Sequence, residues 1–268
     1  MITEIILATT KHIPAVIPHL RGRAGLVYCE HKSLQRDANE PLRAEKEKDE
    51  ERVRRVIMRR FRRQMEKIAN DIHINHNKTI MAGGVFVDDD GSEAGELIKI
   101  VYNAILTGVA FNELNIGFAL ADGSVNEPAL LFSQRYVTEW LKSLDETSEK
   151  AVRAALSTFI SQPGATLGDV MKILEAAGFN ETRAMRIAIT EITRVYAEAN
   201  QIYGFALKQL YPNYKVTKEW FTNVDDRVCP ICKPLDGKRI DINESFKGIG
   251  NPPAHVNCRC WTAVTVKI

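Results

Sequence analysis

Four of the five cysteines fall in one window near the C-terminus. Cys229 and Cys232 stand as Cys-Pro-Ile-Cys, and after 22 intervening residues His255, Cys258 and Cys260 follow as His-x-x-Cys-x-Cys. A first pair, a long loop and a second cluster encode a tetrahedral metal site, because thiolates and imidazole together suit a borderline-soft divalent ion. Five ligands compete for four positions. The pattern predicts structural Zn2+ held by four of Cys229, Cys232, His255, Cys258 and Cys260. The preferred set is Cys229, Cys232, His255 and Cys258, with Cys260 the alternative for either member of the second pair. Roughly forty residues with few large apolar side chains bury too little surface to fold alone, whereas a structural zinc contributes on the order of 10 kcal/mol. The competing reading is thiols that simply pack or form reversible disulfides.

A second chemical signal is cationic. Arg52, Arg54, Arg55, Arg59, Arg60, Arg62 and Arg63 interleave with apolar residues over about three helical turns. Glu50 and Glu51 precede them at spacings that pair with Arg54 and Arg55, which describes an ordinary solvated face. Arg59, Arg60, Arg62 and Arg63 have no carboxylate close in sequence, so Arg55, Arg59, Arg60, Arg62 and Arg63 form the candidate phosphate-tracking set. The remaining signals are weaker. His73 and His76 share a helix face without a third ligand, and His12 and His19 have no chelating partner. Asp88, Asp89 and Asp90 before Gly91 fail as a calcium loop, because the first ligand position would be Phe86. Glu191 sits at the edge of an apolar stripe with Arg194 three residues on, and one carboxylate without a second acid, nucleophile or positioned His makes no active site.

The elements that must position these groups follow from periodicity. Val53, Val56, Ile57, Phe61, Met65, Ile68 and Ile72 recur at steps of three and four, predicting a helix from Glu40 to about Met81. Leu97 to Leu120 reads as a core helix in which Gly108 and Gly117 allow close packing, with its start near Ser92. Leu130 to Leu144 and Glu149 to Ile160 read as two further helices. Leu167 to Ala177 ends at Gly178, and Asn180 caps Glu181 to Leu210, whose buried stripe is Ala184, Ala188, Ile192, Val195 and Ala199. Beyond these helices, Thr217 to Phe221, Arg239 to Ile242 and Trp261 to Val266 read as strands, with a hairpin turn at Leu235-Asp236-Gly237-Lys238. In such a final strand Cys258 and Cys260 would point one way. The predicted fold class is α+β, a mainly α-helical body with a small C-terminal β-rich module stabilised by zinc. Residues 1–40 form an extended arm, 41–82 a long basic helix, 83–165 a helical body and 166–268 a C-terminal domain whose zinc module spans about 217–268.

Composition bounds the function classes. The 268 residues are 45% hydrophobic and 26% charged, as in an ordinary globular protein rather than a disordered one, and the net charge of +2 marks no nucleic-acid binder by itself. No uninterrupted apolar run approaches the roughly 18 residues of a membrane span, and Glu4 stands where a signal peptide would carry Lys or Arg. No membrane partner is expected. The expectation is a chain on the reducing side of a membrane, where clustered cysteines hold metal rather than disulfides. Cys29 lies outside the cluster, as a small neutral side chain.

Arg183-Ala184 through Ile187-Ala188-Ile189-Thr190-Glu191, Trp220-Phe221-Thr222 with Asp225 and Arg227, Leu235-Asp236-Gly237-Lys238, Phe246, Pro252-Pro253-x-His255 and Asn257-Cys258-Arg259-Cys260-Trp261 occur in that order. Over roughly Leu167 to Val266 this resembles the phage head-morphogenesis family, the Mu-type minor head proteins, with His-x-Asn-Cys-Arg-Cys as its most distinctive part. The resemblance implies a non-enzymatic minor capsid protein of a tailed phage. It further implies a location in the virion, at the head interior or portal vertex, and in the host cytoplasm during assembly. Expected partners are the portal protein and/or major capsid protein, with sequence-independent contact to packaged or ejected DNA. The enzyme alternative is a zinc-stabilised nuclease of the treble-clef kind. It lacks the Asp-His pair followed by Asn and a second His that such nucleases use. A zinc-ribbon regulator would need a more basic cluster than Lys233, Lys238, Arg239, Lys247 and Arg259 provide.

Overall fold

The computed structural model of the protein describes residues 36–74, 91–120, 124–160, 167–223, 228–246 and 248–267. The sites at His12, His19, Cys29, His76, Asp88 to Asp90, Asp225 and Arg227, and the side chain of His73, lie outside them. The fold is mainly helical with one small antiparallel sheet near the C-terminus. Helix α1 spans Arg43–Ile74. Its apolar positions Val53, Val56, Ile57, Phe61, Met65 and Ile68 are all buried, so the three-and-four spacing is the spacing of a core face. Residues 36–40 were expected within an extended arm, yet they form a turn that buries Arg36 and Glu40.

Helix α2 spans Ser92–Ile116, opens after Gly91 at φ 75 and closes on Gly117 at φ 80, whose amide donates to the Glu113 carbonyl. It is long and apolar enough to cross a bilayer by length and composition. In this fold Leu97, Val101, Ala104, Ile105 and Val109 are instead buried in the core. Helix α3 spans Asn126–Ile160 as one element where two were expected. The hydrophilic stretch Asp145-Glu146-Thr147-Ser148 suggested a break, but it contains neither Gly nor Pro. Thr147 Oγ1 bonds back to the Ser143 carbonyl at 2.9 Å, and Ser148 accepts from Arg183 at 3.3 Å, so the polar side chains find partners without leaving the helix.

Helix α4 (Leu167–Ala176) leads through Gly178 and Phe179 to α5, Glu181–Leu210. The Asn180 side chain caps α5 by accepting from the Arg183 amide at 3.0 Å. α5 is the organising element, because it packs against α1, α2 and both long strands. At Gly108 a Cβ would lie 2.6 Å from the Ala199 Cβ, so α2 and α5 approach as closely as their backbones allow. Gly204 does the same for the sheet, since a Cβ there would meet Ile242 Cδ1 at 2.4 Å.

Strands β1 (Lys215–Phe221), β2 (Arg239–Asp241) and β3 (Trp261–Lys267) pair antiparallel in the order β2-β1-β3. Lys215 faces Lys267 and Phe221 faces Trp261. The hairpin between β1 and β2 contains a 3-10 turn, Lys233–Leu235, and turns on Gly237 at φ 69, a conformation only glycine adopts cheaply. Val216, Ile242 and Val264 join the main helical core, whereas Trp220, Leu235 and Phe246 form a second small core with the four cysteines.

Candidate metal centre

The segment that presents Cys229 and Cys232 is a tight turn. The Cys232 amide lies 3.1 Å from the Cys229 carbonyl and 3.4 Å from the Cys229 sulfur, and the Lys233 amide closes on the same carbonyl at 2.9 Å. Both sulfurs are thereby turned to one point. His255 enters from the far side of the loop, its Nε2 3.1 Å from Cys229 Sγ and 3.3 Å from Cys232 Sγ. Its Nδ1 lies 2.8 Å from the Val256 carbonyl, which can only accept. Nδ1 therefore carries a proton, and Nε2 is the nitrogen turned toward the sulfurs.

Cys232 and Cys258 sulfurs are 3.9 Å apart. That matches the edge of a tetrahedron with metal–sulfur bonds of about 2.3 Å. Two triads emerge, Cys229 with Cys232 and His255, and Cys232 with Cys258 and Cys260, each with ligand atoms within 4.8 Å of one another. All four cysteines are buried and free of disulfides. The residues thus lie close enough to hold a metal ion. Cys258 and Cys260 do meet Cys232 together, but from an irregular segment, since β3 begins only at Trp261.

The thiols divide in acidity. Cys229 is drawn down to about 3 by its contact with Cys232, with His255 assisting against burial. Burial pushes Cys258 up, but contacts with Cys232, Cys260 and His255 outweigh it and hold the thiol well below its usual range. Cys232 is pushed up by Cys229 and Cys258. Cys260 is also raised, the lowering contact with Cys232 being outweighed by Cys258 and burial. His255 is pushed up to about 11, burial being overcome by Cys229 and Cys258. Adjacent thiolates suppress one another's ionisation, so this donor set is fully ionised only around a cation.

A small apolar core and α5 hold the arrangement. Trp220 packs edge-on against Phe246 at 5.1 Å beside the sulfurs. Thr222 donates from its amide and hydroxyl to Asp236 Oδ1 at 2.8 and 2.9 Å, which locks the hairpin. Buried Lys218 donates to Gln201 at 2.7 Å and Asn251 at 2.9 Å, tying β1 both to α5 and to the approach to His255. Asn200 donates to the Thr262 carbonyl at 2.6 Å. Thr193 donates to the Cys258 carbonyl at 3.0 Å, and Thr190 accepts from the Asn257 amide at 2.8 Å.

Sequence reasoning named Thr190 only as part of the family resemblance and did not single out Lys218, Thr193, Asn200 or Gln201. The trace of the helical ones is a set of polar positions among the apolar residues of α5, and Lys218 has only its place inside a strand. Glu191 is structural in its surroundings. It accepts from the Tyr136 hydroxyl and pairs with Arg194 at 3.5 Å.

The candidate arginines of α1 do not form one surface. Arg60 is buried, donating to Asp145 at 3.1 and 2.7 Å and to Glu93 at 3.0 Å, so it clamps α1 to α2 and α3. Arg63 pairs with the same Glu93 at 2.7 Å, Arg59 with Glu96, and Arg55 with Glu51 at 3.4 Å. The carboxylates missing nearby in sequence arrive from other helices. Arg60 thereby leaves the candidate phosphate-tracking set, because its guanidinium faces the interior. Flanked by exposed Glu45 and Glu66, the basic residues that α1 exposes are Lys48, Arg52, Arg55, Arg59 and Arg62. Steps of four and three place them on one line, and the first four line a shallow groove with Glu96. Lys48 and Arg52 were missed, although the helical period alone would have found them.

Residues 150–263, under half of the chain, match the family model described as Phage Mu protein F like protein, consistent with a phage head-morphogenesis protein. No curated protein and no solved structure matched the chain.

Proposed function

We propose, taking the match of residues 150–263 to the Phage Mu protein F like family as premise, that the protein is a minor structural component of a tailed-phage head. That match is the observation that carries the reading. In this reading the chain works with the portal protein or the major capsid protein during head assembly, and with DNA during packaging and ejection. It is made in the host cytoplasm and ends in the virion, at the head interior or portal vertex.

The metal is zinc in a structural role. The ligand set we favour is Cys229, Cys232, His255 and Cys258, in which His255 lies against Cys229 and Cys232, and Cys232 against Cys258, with Cys260 of the second triad as the alternative for either member of the second pair. Four protein ligands leave no open coordination position, so no catalytic step is assigned to the ion. DNA contact falls to the exposed line Lys48, Arg52, Arg55, Arg59 and Arg62, and is indifferent to sequence because it is made to phosphates.

The test is to follow the tagged chain through phage head assembly and to fractionate DNA-filled heads, with mass spectrometry and metal analysis of the particles. The chain should band with heads and portal and carry one zinc per copy. Its absence from purified heads would refute the structural role, and metal-dependent nicking of plasmid DNA by the clean protein would refute the non-catalytic one.

A further inference from the structure

We infer that metal binding at the Cys/His cluster also fixes the turn that starts α1, through a buried relay from the Cys258 carbonyl over the Thr193 hydroxyl to the Arg36 guanidinium. The inference rests on reading the cluster as a metal site and adds a consequence for a distant part of the chain.

The relay begins in the ligand loop. Two threonines one turn apart on α5 hold two consecutive loop residues: Thr190 takes the Asn257 amide at 2.8 Å, and Thr193 gives its hydroxyl proton to the Cys258 carbonyl at 3.0 Å. Asn257 stands at φ 62, in the left-handed region, between His255 and Cys258. The hydroxyl has one proton, and once it is given to Cys258 the oxygen is left to accept. It accepts from Arg36 Nη2 at 2.9 Å.

Arg36 then reaches away from the cluster. Its Nη1 donates to Glu40 at 2.6 Å and its Nε to Glu50 at 2.6 Å, while Lys46 donates to the same Glu40 oxygen at 2.8 Å. Arg36, Glu40, Lys46 and Glu50 are all buried, so none of these charges can turn to bulk water in place of its partner.

The direction of control lies in the threonine. A helical threonine without an outside acceptor turns its hydroxyl back to the carbonyl four residues earlier, as Thr190 does with Arg186 at 2.7 Å. For Thr193 that carbonyl belongs to Ile189. The Cys258 carbonyl keeps the hydroxyl in the orientation that serves Arg36, and the metal keeps the Cys258 carbonyl in place. Removing the ion loosens the loop and releases Thr193 from the Cys258 carbonyl, so that its side chain can change rotamer and carry the oxygen away from Arg36, leaving Nη2 with Glu50 alone.

Hydrogen exchange on the full-length protein, zinc-loaded and after chelation, tests this. Metal stoichiometry is measured in parallel. Chelation should speed exchange in peptides covering residues 42–50 by about tenfold, the size expected for losing a hydrogen bond from a charged donor, together with residues 228–260. Peptides from α2 and α3 should be unchanged. Thr193→Val should bind metal fully and yet exchange over 42–50 like the metal-free wild type, while Thr193→Ser should restore protection.

A chain that takes up no metal overturns the metal reading and the relay together. One that binds metal but shows no change over 42–50 on chelation overturns the relay alone. Exchange that rises equally in α2 and α3 means general unfolding and also overturns it.

Discussion

Arg60 separates a structural arginine from a binding one on the same helix. Substituting Gln removes three hydrogen bonds, two to Asp145 and one to Glu93. Removing one partner of a buried ion pair typically costs about 3–5 kcal/mol, because the remaining charge stays desolvated. Here the low end applies. Glu93 keeps Arg63 at 2.7 Å, and Asp145 is partly solvated and keeps Gln64 at 3.2 Å. A loss of about 3 kcal/mol lowers the thermal midpoint by roughly 6 °C in a chain of this size.

The exposed line should behave in the opposite way. Replacing Arg52, Arg55, Arg59 and Arg62 together by Gln should leave the midpoint within about 2 °C of wild type, because exposed pairs contribute little. The slope of log binding constant against log salt for duplex DNA should flatten by about 3 to 4, from about 0.9 per lost phosphate contact. Circular dichroism melting and fluorescence anisotropy over a salt series read both quantities. If Arg60→Gln melts like wild type while flattening the salt slope, the buried clamp is wrong and the arginines act as one surface.

Cys260→Ser should still bind one zinc per chain, whereas Cys229→Ser and Cys232→Ser should lose stoichiometric metal. Metal analysis after gel filtration would reverse the ligand assignment if zinc survived either of the latter. Gly108→Ala should cost about 1–2 kcal/mol net, the overpacking against Ala199 exceeding the helix-propensity gain of about 1 kcal/mol. Adding Ala199→Gly should recover part of that loss, and strictly additive denaturation energies would argue against the close contact.

Burial raises Glu198 to about 7 from 4.5, opposed by Lys218 and Arg194. Between those values the folded state holds a proton that the unfolded state releases, so this group's contribution falls as pH rises from 4.5 to 7. Glu198→Gln should therefore be more stable than wild type by about 3 kcal/mol above pH 7, with the difference vanishing below pH 4.5. A pH-independent difference would show that Glu198 keeps an ordinary acidity.

Much of the architecture was written in short-range pattern. The apolar steps from Val53 to Ile68, the Asn180 cap, the Asp236-Gly237 turn and the start of the last strand at Trp261 are local features, each with a local cause. The Cys/His cluster was legible because residues able to hold a metal stand at a spacing that such a site would require, and the chain brings them close together. The failures were long-range. Nothing around Arg60 reveals that Asp145, 85 positions away, will neutralise it. Nothing around Thr193 reveals a carbonyl 65 positions away. Asp145 to Ser148 reads as a break only until their partners on other elements are known. Partner-dependent polarity was what the sequence withheld, and it decides which charged residues face solvent.

Gly204 bears on how the metal module is placed. Ile242 sits where the absent side chain would be, and Val216 Cγ1 comes within 3.7 Å of the same point. The helix therefore carries a notch one residue wide, and the sheet has a tooth that fits it. One turn in either direction the notch is gone, filled by Gln201 or Lys208. A ratchet of the sheet along α5 is blocked by sterics, independently of any metal. An ion held by the Cys/His cluster could then tighten or release its loop, and the hydrogen bonds that lead from that loop, while the sheet itself keeps its address on the helix.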